Sequence, residues 1–313
     1  MTDVNEFQGV ILAAGKGKRI RPFSNHTPKP LLPVLDRPLL VWQIVAMREL
    51  GIREIVIVIG HLGHHVVQEL GDGSGLGVKL SYVEQDKVLG IAHAVGQLEP
   101  YVQRPFLLFL GDIFFETANL ASMLDLYARD GVDGVLAVKI EKSTDAIRRN
   151  FTVDLDDKGF VRRVIEKPRH PRTNLKGCGL YLFDTTIFDA VRRTPRTALR
   201  DEYELTDSIQ IFIDYGYGVL PAPVVQADLN LSGPEDLLAL NLHVMRQGED
   251  SRHVAADATL EAGADVDDSV IMHGARIEAG VTMRRCLVLP GETVRAGSYT
   301  DSIFVAGNEL PCK

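Results

Sequence analysis

Between Gly9 and Pro33 the chain reads GVILAAGKGKRIRPFSNHTPKPLLP, an apolar run that breaks into glycines and then into spaced cations. That order suits anion chemistry. Val10, Ile11 and Leu12 have the character of a buried strand, and Gly15 and Gly17 let the backbone after it turn sharply and bring N–H groups against a phosphate. Lys16, Lys18, Arg19 and Lys29 add fixed positive charge. Two commoner glycine loops are excluded by spacing: a dinucleotide fingerprint needs glycine where Ile20 stands, and a P-loop needs Ser or Thr where Gly17 follows Lys16.

Three further stretches set polar groups beside strand-like runs. EQDKVLGIAHAV, from Glu84 to Val95, offers Gln85, whose amide has both donor and acceptor, and Gly90, which leaves the backbone open to close approach, in what is otherwise a surface loop entering a helix. The apolar run from Leu107 ends on Gly111-Asp112. An aspartate there is mostly a turn residue, but it also suits a Mg²⁺ ion that takes its other ligands from phosphates and water. Val164-Ile165-Glu166-Lys167-Pro168 ends on an acid and a base.

Such residues need a sheet to hold them. Residues 39–50 carry apolar side chains at helical spacing and stop at Gly51, and 54–59 is a β-branched run closed by Gly60. Further strands are expected at 79–83, 106–110, 134–140, 152–155 and 180–183, and a helix from Pro234 to about Arg246. The alternation predicts an α/β fold, Rossmann-like, with a mixed, mainly parallel sheet and helices on both faces, whose ligands bind beyond the carboxyl ends of the strands. His61, His64 and His65 read as a polar loop entering a helix, because a zinc site needs more ligands than they offer. From His253 the texture changes: Gly263, Gly280 and Gly297 recur at intervals of 17, with DSVI, RCLV and DSIF between them, which is the period of a solenoid. The expected domains are 1–248 and 249–313.

With 34 Lys and Arg against 42 Asp and Glu, net charge −8, the chain is not a general nucleic-acid surface. The N-terminal MTDVNEFQ has no signal-like apolar core, and no stretch approaches the ~18 apolar residues of a membrane span. Cys178, Cys286 and Cys312 form neither an even set nor a metal spacing. A soluble cytoplasmic protein is expected.

L-A-A-G-K-G-K-R-x-x-P from Leu12, followed by P-K-P-L-L-P from Pro28, resembles the sugar-1-phosphate nucleotidylyltransferases, which join a sugar phosphate to a nucleoside triphosphate and release pyrophosphate. The resemblance implies that Leu12, Ala13, Ala14, Gly15, Lys16, Gly17, Lys18 and Arg19 wrap the triphosphate, and that Gln85, Gly90 and Ile91 meet the nucleobase. It implies sugar-phosphate contacts from Lys29, Gly111, Phe151, Glu166, Lys167 and Gly179, a Mg²⁺ ion on Asp112 and Asn230, and catalysis by Arg19, Lys29 and Lys167. Departures occur at Lys18, where many members have threonine, at Ile113 for a sugar-touching asparagine, at Asn150-Phe151 for a tyrosine-glycine pair, and at Asn230 for an aspartate. Phe151 is expected to narrow the sugar pocket, and Thr206 or Asp207 to cap a helix. The C-terminal repeat resembles the left-handed β-helix of many such enzymes, and its open coil edges lead us to expect a homo-oligomer. Among substrates the motifs favour glucose-1-phosphate with a thymidine nucleotide over mannose-1-phosphate with a guanosine nucleotide. A catalytically silent nucleotide-sugar sensor is the alternative of another class, motivated by Ile113, Phe151 and Asn230 and opposed by the presence of Arg19, Lys29, Asp112 and Lys167.

Overall fold

The computed structural model describes residues 6–198, 201–248 and 250–312, so the first five residues of the polar N-terminal stretch lie outside it. Along the chain run β1 (Gln8–Leu12), a hairpin of β2 (Pro33–Val34) and β3 (Arg37–Pro38), α1 (Leu39–Glu49), β4 (Glu54–Ile59), α2 (Gly63–Leu70), β5 (Lys79–Glu84), α3 (Ile91–Gly96), β6 (Phe106–Leu110) and β7 (Ile113–Thr117). There follow α4 (Ser122–Tyr127), β8 (Gly134–Ile140), α5 (Thr144–Arg149), β9 (Phe151–Leu155), β10 (Val161–Glu166), β11 (Leu175–Phe183), α6 (Ile187–Arg193), α7 (Leu205–Asp214), β12 (Val219–Ala222), β13 (Val225–Asn230) and α8 (Pro234–Gln247). Two compact units result, one of residues up to 15 with 43–228, the other of 16–42 with 229 onward. The boundary expected at 249 marks the change from helix to short strands; the compact unit around those strands also takes in α8 and the cationic loop.

In the first unit the sheet runs β10-β9-β11-β6-β1-β4-β5, with β8 on β11 and β12 on β8. Its heart is parallel: β5, β4, β1 and β6 all point one way. β4 (EIVIVI) and β6 (FLLFL) are buried almost throughout, which is why they read as unbroken apolar runs. β11 joins β6 and β9 antiparallel, and β9 joins β10 antiparallel. The sheet is therefore mixed. Helix α1 is closed by Gly51, whose φ of 91° turns the chain so that the Ile52 N–H reaches the Met47 carbonyl.

Val10, Val56, Leu108, Tyr181, Phe183 and Phe212 share one core. Phe151 belongs to it. Its ring is 5% exposed and stacks on Tyr181 with centroids 6.1 Å apart, and a Cβ added at Gly177 would land inside it. The expected narrowing of a sugar pocket by this ring is corrected: the ring is core, because Gly177 leaves a slot that only an apolar side chain fills well.

In the second unit Asn241 of α8, fully buried, accepts a hydrogen bond from the Leu35 N–H at 2.7 Å and donates to the Pro33 and Leu237 carbonyls. The β2–β3 hairpin is thereby fastened to α8. At the start of α8, Pro234 takes the first position, and Asp236 accepts from the Ser232 and Gly233 N–H groups. The C-terminal strands form a short β-helix: Thr259 lies beside Arg276 and Arg276 beside Thr293, around a core of Ile271, Ile277, Met283, Val288 and Val294. Gly263 and Gly280 turn corners with φ of 92° and 80°, but Gly297 pairs with Val281 inside a strand, since the last coil is one residue shorter.

Gly177→Ala should cost about 1–3 kcal/mol through overpacking, read as a lower urea midpoint at unchanged slope. Adding Phe151→Leu should return part of that loss; a Gly177→Ala protein as stable as the parent would show that the ring is not held there.

Candidate functional site

Register brings the strand ends of the first unit to one edge. Leu12 lies beside Val58 of β4 and Leu110 of β6, and Ile59 beside Glu84 of β5. On the other side Leu180 of β11 lies beside Phe109, Gly177 beside Phe151, and Phe151 beside Glu166. Reading across that edge gives Gln85, Gly60, Ala13 to Gly15, Gly111 with Asp112, Gly177 to Gly179, Phe151, and Glu166 with Lys167. This is where an open sheet binds its ligand.

At the centre the backbone is tightly held. The Ala13 N–H donates to Val58 at 2.8 Å and the Gly111 N–H to Leu12 at 2.9 Å, continuing both ladders past the strands. A Cβ at Gly60 would sit 2.7 Å from the Ala14 oxygen, and one at Gly111 2.7 Å from the Leu12 oxygen. Only glycine fits on either side of β1's end.

Gln85 is 4% exposed, and its amide nitrogen lies 3.0 Å from His93 Nδ1. An amide donor requires that nitrogen to be the unprotonated one, which leaves Gln85 Oε1 and the His93 Nε2–H to face elsewhere. His93 was not singled out in the sequence, although it sits three residues into the same GIAHAV run. Gly90 has a different reason to be glycine from the one expected. With φ of 116°, its missing Cβ would lie 2.6 Å from Tyr203 N, and Tyr203 bonds Leu89 and Ala92 on either side. Ile91 begins α3 directly after it.

Toward Lys167 the edge is polar above and apolar below. Lys167 has φ of 44°, uncommon for a residue with a side chain, and its N–H donates to Asn150 at 2.8 Å while its ammonium lies 3.9 Å from Glu166. Thr206 does not cap α7, whose N-cap is Glu204; its hydroxyl lies 3.5 Å from Glu166 Oε2. Burial raises the Asp207 pKa, and the N-cap position is again Glu204, not Asp207. Ile113 is 5% exposed and packs with Leu110 into the space beneath Gly179, whose φ is 71°. Both apolar departures, Ile113 and Phe151, are thus covered.

The remaining expected residues lie in the second unit. Gly17 turns with φ of 59°, and its carbonyl accepts from the Ser24 hydroxyl at 2.7 Å. Lys16, Lys18 and Arg19 are exposed. Lys29 is 8% exposed and opens a short turn between Pro28 and Leu32.

The nucleotidyl transferase family model matches residues 8–222. The chain belongs to that family. It is 34% identical over 84% of its length to a low-salt glycan biosynthesis nucleotidyltransferase, Agl11, of Haloferax volcanii, matching 73% of that protein. It is 32% identical to a glucose-1-phosphate thymidylyltransferase of Streptomyces griseus over 95% of this chain and 80% of the relative. A solved structure from Bacillus anthracis, provisionally described as a glucose-1-phosphate thymidylyltransferase, aligns with a TM-score of 0.66 at 26% identity over 75% of this chain and 94% of the other. Other relatives are named for uridylyl and guanylyl transfer.

Members of this family need a place for a divalent metal. Among the described residues no three or more His, Cys, Asp and Glu gather to hold one. In the first unit the half-buried Asp112 carboxylate is a hard oxygen donor of the type Mg²⁺ accepts; the Asn230 amide oxygen, in the second unit, is a donor of the same type. Asp228 is otherwise engaged: both its oxygens lie 2.7 Å from Lys176 Nζ, with side chains 3% and 5% exposed. Glu141 stands 3.9 Å from the same ammonium, its carboxyl held below the usual range first by the Ser143 N–H and then by Lys139 and Lys176. Burial, and then Asp228, push the nearby Cys178 thiol up, so that it stays protonated and unreactive.

Lys176→Met should lower stability by about 3–5 kcal/mol by leaving Asp228 buried and unpaired, while Lys176→Met with Asp228→Leu should recover most of it. Urea unfolding of both variants measures this; an unaltered single variant would mean water reaches Asp228.

Proposed function

We propose that the chain transfers a thymidylyl group from dTTP to glucose-1-phosphate, releasing pyrophosphate, in the cytoplasm. The observation that carries the reading is the single sheet edge that holds a buried glutamine amide, a glycine-flanked backbone, an aspartate and a Glu-Lys pair in that order. Each suits one part of the reaction. The buried Gln85 amide presents a fixed hydrogen-bonding edge to a base, and the bare backbone from Ala13 to Gly15 suits phosphate oxygens. Glu166 accepts hydrogen bonds from sugar hydroxyls, and Lys167 neutralises the sugar phosphate.

A sugar phosphate is largely dianionic at neutral pH, its second pKa being about 6. It needs no general base to attack the α-phosphorus. What the protein supplies is in-line positioning and charge neutralisation. In this reading Arg19 holds the outer phosphates, Lys29 lies between the α-phosphate and the incoming sugar phosphate, and Lys167 holds the latter. Mg²⁺, taking Asp112 and Asn230 as its protein oxygens, would supply further neutralisation of phosphate charge. The motifs GIAHAV, LGD, EKP and ELTDSIQ and the name of the Streptomyces griseus relative support thymidylyl transfer to glucose-1-phosphate. The three cysteines without bonded partners and the absence, among the described residues, of a helix long and apolar enough to cross a membrane accord with the assignment to the cytoplasm. We further propose a homo-oligomer assembled through the β-helix.

Pyrophosphate release with Mg²⁺, crossing dTTP, UTP, GTP, CTP and ATP against glucose-1-phosphate and mannose-1-phosphate, tests the proposal: dTTP with glucose-1-phosphate should be the best pair. GTP with mannose-1-phosphate as the best pair would reassign the substrates, and silence across the grid in a protein that binds nucleotide would favour a sensing subunit. Lys29→Met should reduce kcat by roughly 10²–10³-fold with cooperative unfolding retained; near-parental turnover would remove Lys29 from the mechanism.

A further inference from the structure

Gln43, on α1, is 3% exposed and belongs to none of the motifs discussed above. Its amide nitrogen donates to the Leu110 carbonyl at 2.8 Å and to the Ile113 carbonyl at 2.7 Å. Those two carbonyls bracket Gly111-Asp112. A glutamine amide has two N–H donors, and both are spent on this turn. Its Oε1, by contrast, is buried and has no hydrogen-bond partner among the described residues. Such an orphaned acceptor is costly in a protein interior. A methionine or leucine would fill the same space without that cost, so space-filling does not account for an amide at position 43.

The turn is pinned on its other side as well. The Gly111 N–H is bonded to Leu12, and the turn passes so close to β1 that a Cβ at Gly111 would lie 2.7 Å from the Leu12 oxygen. Asp112 therefore sits in a four-residue turn in which three backbone groups are held, the Leu110 and Ile113 carbonyls by Gln43 and the Gly111 N–H by β1. We propose that Gln43 is a positioning residue for the Asp112 carboxylate and so sets the affinity of the site for its divalent cation. This rests on the reading of Asp112 as a metal ligand. The contact spans 67 residues to Leu110 and 70 to Ile113, so no local pattern announces it.

The test is Mn²⁺ binding without turnover, followed by electron paramagnetic resonance in the presence of dTTP and the absence of sugar phosphate. Gln43→Met should weaken Mn²⁺ binding about tenfold or more, in the range found when a group that orients a metal ligand is removed. In the full reaction the Mg²⁺ concentration at half-maximal rate should rise in parallel, with KM for the sugar phosphate unchanged. Unaltered Mn²⁺ affinity would overturn the proposal, since loss of packing alone lowers the melting temperature without moving that titration. Should Gln43→Met not fold, Gln43→Asn keeps an amide that falls a methylene short of both carbonyls and is held to the same two outcomes. Asp112→Asn is titrated beside them. If it weakens Mn²⁺ binding and Gln43→Met does not, the role of Gln43 alone fails; if neither does, the metal reading of Asp112 fails and takes this proposal with it.

Discussion

The first unit depends on how closely the end of β1 is gripped by its neighbours. Adjacent strands lie roughly 4.8 Å apart, and where β1 leaves the sheet the chain of each flanking strand passes beside it for a residue or two more. Gly60 and Gly111 lie on those stretches, and at each a Cβ would sit 2.7 Å from a β1-side carbonyl oxygen. Any side chain would spread the sheet at the edge where its ligand groups stand. With glycine in both places the ladders close through Ala13 and Gly111, and the ends of β4, β1 and β6 stay level. Gln85 and Asp112 owe their neighbourhood to that levelness. Neither glycine turns through positive φ; both are required by close approach alone.

The departures from the common sugar pocket look different once burial is known. Phe151 and Ile113 are the two positions that most suggest an altered sugar site, yet each is 5% exposed. The Phe151 ring fills the space left by Gly177, and Ile113 fills that beneath Gly179. Large side chains are matched by missing ones across the strands. Such exchanges conserve volume, and cores tolerate them. As motives for a silent sensor they lose force, because they alter what lies under the site rather than the groups on it. The exposed edge retains Glu166 and Lys167, with Lys167 held at φ of 44°, a conformation that glycine or asparagine would adopt at less cost. A lysine in that conformation is easier to understand if its ammonium is needed.

Legibility from sequence followed burial. β4, β6 and β8 were bounded to the residue, since strands covered on both faces are continuous apolar runs closed by Gly60, Gly111 and a polar loop. β12 and β13 were not recognised, and β10 only from Val164 on: β10 carries exposed Arg162 and Arg163 in its middle, β12 contains Pro221, and β13 is mostly half-buried. The period of the β-helix was legible because stacked coils repeat at 17 residues, as in the Ser269 hydroxyl that accepts from Cys286. Gly297 fell in the pattern but not in the corner, because a single deleted residue shifts the turn while leaving the glycine in the sequence repeat.

What remained illegible has a common cause. Motif residues lie within short windows, whereas the groups that orient them act across the fold: Gln43 to Leu110 over 67 residues, Lys176 to Asp228 over 52, Asn241 to Leu35 over 206. All three are buried polar side chains whose hydrogen bonds end on backbone or on a single opposite charge. Burying a polar group is costly unless its hydrogen bonds are made, so the bonds that each of these residues makes fix the distance between two distant elements more narrowly than apolar packing could. Family motifs identify the atoms that meet substrate. The sub-ångström placement of those atoms is written in residues that, taken singly, look like any glutamine, lysine or asparagine in a helix or strand.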